Sequence, residues 1–258
     1  MKKYGICKIC KKYEKLTFEH IPPKSAFNAD PIRIYSVNDS LKTITDSNIK
    51  PWDFSEVEYK LEQKGNGYYS LCENCNSKTG AYYVNHYQMI AHAFVAFMAN
   101  TFDSNQEEID VVAENIKPLL FLKQILTMFA SITNICDDED MKTFILEKEN
   151  SIFNSNKYKV YMSIFGGGIR RISGWSVFHY NNENYLISEI VAVPFIFVLL
   201  GNVDKIKNNQ LQNIIKGFDI TSFCKYKYND EIEIPLTLSI NECNTIMPIN
   251  YSKKSDLE

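Results

Sequence analysis

Four of the seven cysteines form two Cys-x-x-Cys pairs, Cys7 with Cys10 and Cys72 with Cys75. Thiolates are soft ligands, and four of them complete the tetrahedral shell that zinc has in structural sites. Four ordinary buried cysteines are the alternative interpretation, but two such pairs rarely occur by chance in a chain with so few cysteines. The spacing therefore predicts a closed, structural Zn²⁺ site that holds the two pairs together.

Glu19 and His20 lie between the two pairs, and Asn76 directly follows the second pair. A zinc ion that joins the pairs would bring Glu19 and His20 close to Asn76. The carboxylate of Glu19 and the amide oxygen of Asn76 are hard ligands suited to Mg²⁺ or Mn²⁺. An imidazole titrates near neutral pH, so His20 could take a proton from water. A structural histidine that caps a turn of the zinc site is the alternative for His20.

Two lysines lie close in sequence to these residues. Lys24 follows the proline pair that ends the motif, and Lys78 lies two residues after Asn76. An ammonium group binds phosphate as a point charge, which predicts that both side chains hold phosphates. Ordinary solvated lysines are the equally simple alternative.

The order CxxC, EHIPPK and LCxxCN followed by lysine resembles the HNH endonucleases with the ββα-metal fold. The resemblance covers about residues 4–88. It implies that His20 is the general base and that Glu19 and Asn76 hold a catalytic divalent ion. It also implies DNA as the substrate, and a role such as the effector of a bacterial anti-phage system.

The chain departs from the family pattern at four points. Glu19 stands where the family more often has aspartate, and Gly80 occupies the helix position where some members place another ligand. Asn66 is the candidate for the family's central asparagine, which orients the base, but it lies outside the matched motifs. The insertion between the two strands, residues 28–65, is also long for such a module.

The elements that would position these residues follow from local patterns. Leu16, Thr17 and Phe18 are β-prone, and residues 68–71 predict a second strand that leads into Cys72. Apolar residues recur at helical spacing over residues 75–100. The predicted order is therefore strand, strand, helix.

The rest of the chain predicts a helical middle and a C-terminal part rich in strands. Helices are expected over 106–135, interrupted or restarted at Pro118, and over 138–149. Gly166 to Gly168 and the Asn181-Asn182 pair predict turns, and 205–216 predicts a short helix. Strands are expected over 158–165, 169–180, 185–193, 195–200 and 231–240.

The fold class is therefore α+β. An N-terminal ββα-metal zinc module is expected over residues 1–100, and an accessory region that is helical and mostly antiparallel β is expected over 101–258.

Charge distribution, hydrophobicity and cysteine usage indicate the class of protein to which the chain belongs. Residues 1–80 contain 13 Lys and Arg against 10 Asp and Glu, whereas residues 81–258 contain 15 against 21. A broad nucleic-acid-binding surface is therefore not expected beyond the motif. The apolar run 190–200 is too short to span a bilayer and contains Pro194, so it predicts a buried strand pair or a core segment. The absence of a signal-peptide pattern and the cysteine usage predict a cytoplasmic protein without a membrane segment.

Two functions remain open from the sequence. The first is a metal-dependent endonuclease that cuts DNA, with a protein partner or self-association through residues 101–258. The alternative is a zinc-ribbon module without catalytic activity that binds nucleic acid or protein. His86, His92 and the tyrosines Tyr82, Tyr83 and Tyr87 lie on the predicted helix, where packing is the expected role, although tyrosines can also stack on bases.

Overall fold

The fold is α+β, as predicted. The computed structural model describes residues 2–36, 55, 57–101, 106–166, 170–180, 183–205, 215 and 217–241. The predicted turns at Gly166 to Gly168 and at Asn181-Asn182 and the predicted helix over 205–216 lie largely outside the described residues.

The described residues of the N-terminal region contain five strands. They are β1 (Lys3–Ile6), β2 (Tyr13–His20), β3 (Ile32–Tyr35), β4 (Tyr59–Glu62) and β5 (Gly67–Cys72). Strands β1, β2 and β5 form an antiparallel sheet in that order, and β3 pairs with β4 in a separate hairpin. The two predicted strands of the motif are therefore β2 and β5, and β1 is an additional edge strand.

A long helical segment begins immediately after β5. Helix α1 (Glu73–Thr79) continues through a π-helical turn (Gly80–Val84) into α2 (Asn85–Thr101). The extra residue in the π-helical turn shifts the side chains that follow it around the helix axis. The predicted helix over 75–100 is confirmed, and Tyr83 and Tyr87 are buried in the core as expected.

The helix predicted over 106–135 is wrong in its first half. Strand β6 (Glu108–Ile116) occupies that part, and helix α3 (Pro118–Ile132) begins at the proline. Pro118 is well placed there because the first helical residue has no intrahelical N–H bond to lose. Strand β6 pairs with a strand about 120 residues further along the chain, and local periodicity does not reveal such a partner. Helix α4 (Glu139–Leu146) follows as predicted, capped by the Asp138 carboxylate.

The C-terminal strands build one large sheet. They are β7 (Tyr158–Phe165), β8 (Arg171–Tyr180), β9 (Glu183–Ala192), β10 (Phe195–Gly201), β11 (Phe218–Asp219) and β12 (Ile232–Asn241). The sheet order is β6-β12-β7-β10-β9-β8, with β11 also paired to β7, and only the β12–β7 pair is parallel. The apolar run 190–200 forms the adjacent ends of β9 and β10, which confirms the predicted strand pair.

Helix α3 packs in the centre of the molecule and is buried on all sides. Phe121 of α3 stacks on Tyr87 of α2 at 5.7 Å between ring centroids and contacts Phe195 of β10. One continuous cluster of buried side chains extends from Cys7 to Leu238. The boundary near residue 100 stays a prediction, since this core includes residues from both sides of it. Among the described residues, no helix is both long and apolar enough to cross a membrane.

Candidate active site

The two cysteine pairs lie at adjacent corners of the N-terminal sheet. Cys7 and Cys10 lie in the turn between β1 and β2, where the Cys7 amide donates to the Lys12 carbonyl at 2.9 Å. Cys72 ends β5, and Cys75 lies in the first turn of α1. The Lys8 amide donates to the Ser70 carbonyl, at the point where Ser70 bulges out of the β2–β5 pairing. The sheet itself therefore brings the two corners together.

The four cysteine sulfur atoms all lie within 4.8 Å of one another. Three of the four cysteines are buried, and the Cys72 amide donates to the Cys7 sulfur at 3.3 Å. A hydrogen bond from the Cys75 thiol lowers the pKa of Cys7 to about 4, and the same bond raises the pKa of Cys75. One thiolate thus suppresses ionisation of its neighbour unless a cation is bound. The cluster can hold a metal ion.

Glu19 lies next to last in β2 and is almost completely buried, with 7% of its surface exposed. Within the described part of the chain, its carboxylate has no hydrogen-bond donor and no cationic partner. Burial alone raises its pKa to about 8. A buried carboxylate without a partner is costly and unusual. Such a group is typical of a site that binds a cation.

Asn76 faces β2 from the first turns of α1. Its side-chain nitrogen donates to Thr17 Oγ1 at 2.9 Å, and the Thr17 hydroxyl donates to the Leu71 carbonyl at 2.9 Å. These two bonds fix the orientation of the amide, because the nitrogen must face Thr17. The amide oxygen has no hydrogen-bond donor among the described residues, so it remains able to accept a ligand.

His20 ends β2 and is half-buried. Its ring packs edge-on against Phe18 at 4.9 Å, and the backbone of Lys64 lies beside it. Burial lowers the pKa of His20, and the nearby charges of Lys24 and Lys64 lower it further, against the opposing effect of the Lys64 backbone. The imidazole is therefore held in its neutral form near pH 7.

The Asn66 side chain forms no hydrogen bond with His20 within the described part of the chain. Asn66 instead uses its backbone, with its amide donating to Asn28 Oδ1 at 2.7 Å and its carbonyl accepting from Ile21 at 2.9 Å. Asn66 thus supports the loop beside the site through its backbone.

Asn28 was not anticipated from the sequence, yet it connects two sides of the site. It is 3% exposed, and its side-chain nitrogen donates to the carbonyls of Pro22 at 2.6 Å and Asn66 at 2.7 Å. Pro22 follows His20 by two residues, and Asn66 follows Lys64 by two residues. Asn28 therefore holds the segment after β2 against the loop that contains Asn66.

One cavity of about 560 Å³ brings the predicted residues together. The side chains of Glu19 and His20 point to opposite faces of β2, because they are neighbours in a strand. Both line the cavity at the end of the strand, together with Asn76 and Lys24. Lys78 and Gly80 do not line it.

Two further residues of the site, Phe18 and Thr17, were not predicted from the sequence. A phenylalanine and a threonine in a strand carry no local signal of a functional role.

The two helix histidines lie outside this group. His92 forms a hydrogen bond with the Ser25 carbonyl at 2.7 Å and stacks on Phe27, so it holds the loop that contains Lys24 against α2. His86 lines a separate groove between α2 and β6. Both positions agree with the packing role expected from the sequence.

Searches of protein-family models, curated proteins and solved structures found no match to this chain. The resemblance to the HNH endonucleases therefore rests on the residues of the motif themselves.

Replacing Asn28 with leucine removes three hydrogen bonds at nearly constant volume. We expect the free energy of unfolding to fall by about 1–3 kcal/mol for each buried group left unpaired. Hydrogen exchange at the Asn66 and Ile21 amides should accelerate, because both depend on this connection. Asn74→Leu, at an exposed position on α1, is the matched control. Unchanged protection of the Asn66 amide in Asn28→Leu would contradict the assigned role.

Proposed function

We propose that this chain is a metal-dependent endonuclease that hydrolyses phosphodiester bonds of DNA in the cavity formed by Glu19, His20, Asn76 and Lys24. The observation that carries the proposal is the buried Glu19 carboxylate. It has no partner among the described residues, and it shares one cavity with a neutral imidazole, an unpaired amide oxygen and an ammonium group. Structural roles alone do not account for that combination.

Zinc fits the cysteine cluster best. A tetrahedral site with Zn–S bonds of about 2.3 Å separates its sulfur atoms by about 3.8 Å, and the Cys10 and Cys72 sulfurs are 3.8 Å apart. Four thiolates leave no open position for substrate, so the ion is structural. Its role is to join the turn before β2 to the start of α1, which sets Glu19 opposite Asn76.

The second metal of the proposal is Mg²⁺ or Mn²⁺. The Glu19 carboxylate and the Asn76 amide oxygen are the oxygen ligands that such ions prefer, and the surrounding cavity leaves room for water and a phosphate oxygen. When bound, the ion would stabilise the negative charge that develops on the phosphate and the leaving oxygen. The unpaired state of both protein oxygens supports this assignment.

His20 acts as the general base. Its ring lines the cavity, where a ring nitrogen can accept a proton from the attacking water. The lowered pKa keeps the ring neutral and ready for that step. Lys24, exposed at the rim of the cavity, is suited to bind a non-bridging oxygen of the same phosphate.

Phosphate binding by Lys78 has less support than phosphate binding by Lys24, because Lys78 does not line the cavity. A role as an effector in bacterial anti-phage defence is carried by the resemblance alone. A protein partner or self-association through residues 101–258 would then provide control of the nuclease.

Purified protein should contain one zinc ion per chain, and Cys75→Ser should lose most of it. The serine hydroxyl is a poor ligand, and structural zinc contributes directly to folding. Metal analysis by mass spectrometry and thermal unfolding measure the two effects. Cys224→Ser, outside the cluster, should keep its zinc. Full zinc content in Cys75→Ser would exclude the site.

His20→Ala should reduce nicking of supercoiled plasmid in Mn²⁺ by about 100-fold or more, because general-base catalysis contributes about 10²–10⁴-fold. The variant should keep its zinc and its fold. His179→Ala is the control, since His179 lies on an exposed strand and bonds Asn184. Equal nicking by His20→Ala would refute the mechanism. Intact plasmid with wild-type protein, combined with measurable binding, would favour the non-catalytic zinc module instead.

A further inference from the structure

Two lysines and two aromatic rings form a strip beside His20 on the N-terminal sheet. We define this aromatic-lysine strip as Lys3, Phe18, Lys64 and Tyr69. Lys3 lies on β1, Phe18 lies two residues before His20 on β2, and Tyr69 on β5 pairs directly with Phe18. Lys64 reaches the same rings from the turn before β5.

The rings position the two ammonium groups. Lys3 Nζ lies 4.3 Å from the centroid of the Tyr69 ring, and Lys64 Nζ lies 5.8 Å from it and 3.4 Å from the Tyr69 hydroxyl. Lys64 Nζ is also 5.6 Å from the Phe18 ring. Cation–π contacts of this kind hold an ammonium group in place without neutralising its charge.

No acid within the described ranges neutralises these cations. A carboxylate oxygen does not come within 4.0 Å of Lys3 or Lys64, nor of Lys24 on the far side of His20. Some lysines elsewhere do form ion pairs, as Lys157 does with Asp138 and Lys159 with Asp219. The cations around His20 have no carboxylate partner among the described residues, so they are available to an anionic ligand.

The strip also has a direction. Lys3 pairs with Leu16, the ring pair lies at Phe18, and His20 ends the strand, so the cations follow β2 towards the cavity. Four residues of strand extend about 13 Å. A DNA strand advances about 3.4 Å per nucleotide along the duplex axis, so this length corresponds to about four nucleotide steps.

We propose that the aromatic-lysine strip binds the phosphates that flank the scissile bond on one side, so that the substrate is a polynucleotide chain and not a small phosphodiester. The inference rests on the proposed nuclease function. Lys64 binds the phosphates nearest to His20, and Lys3 binds those further along the strand. The rings keep both ammonium groups on this path while leaving the full charge for the phosphates.

The test is binding of a fluorescently labelled DNA duplex to the His20→Ala protein, with Lys3→Gln or Lys64→Gln added and no Mg²⁺ or Mn²⁺ present. Each added substitution should weaken binding about tenfold at low salt. Each should also reduce the slope of log affinity against log salt by about 0.9, since one phosphate contact is lost. Lys60→Gln is the control, because Lys60 is exposed on β4 and pairs with Glu62.

An unchanged slope in both variants, or the absence of DNA binding, would overturn the inference. Cleavage provides a second readout in proteins that retain His20. Lys3→Gln and Lys64→Gln should lower kcat/KM for an oligonucleotide more than for bis(p-nitrophenyl) phosphate, which has no flanking phosphates, and equal losses would also overturn it. DNA binding with the expected salt slopes but without any cleavage would support phosphate binding by the strip and refute the nuclease function. Failure of this inference can therefore be distinguished from failure of the proposed function.

Discussion

The convergence of four cysteine sulfurs is the constraint on which the rest of the site depends. It joins positions 65 residues apart, since the Cys72 amide bonds the Cys7 sulfur directly. A crosslink between the start of β2 and the junction of β5 with α1 leaves the far end of β2 opposite the first turns of α1. A metal ion bound at the cluster would stabilise that geometry, because it would join two segments that are distant in sequence.

The same geometry explains why a buried carboxyl group without a partner among the described residues is tolerated at Glu19. Burial of a carboxylate without a partner opposes folding, and natural proteins keep such features mainly where function requires them. Asn28 and Thr17 hydrogen-bond neighbouring polar groups of the site. The Glu19 carboxyl group and the Asn76 amide oxygen lack a donor among the described residues, which is the pattern expected of a preorganised cation site.

Sequence reasoning predicted those parts of the fold that local patterns encode. The cysteine spacing, the strand, strand, helix order and the C-terminal strands followed from residue types and periodicity. Strand β6 was mistaken for helix because its partner β12 lies far away in sequence. Asn28 was missed for a related reason, since a loop asparagine acquires a role only through tertiary contacts.

The central claim is that a cysteine-bound metal positions Glu19 and Asn76 to hold a second, catalytic ion beside His20. The most direct measurement is a crystal structure of the protein soaked in Mn²⁺, with anomalous maps collected at the zinc and manganese edges. The account predicts a zinc peak among the four sulfurs and a separate manganese peak within contact of the Glu19 carboxylate and the Asn76 amide oxygen. A zinc peak with no manganese at Glu19 would contradict it.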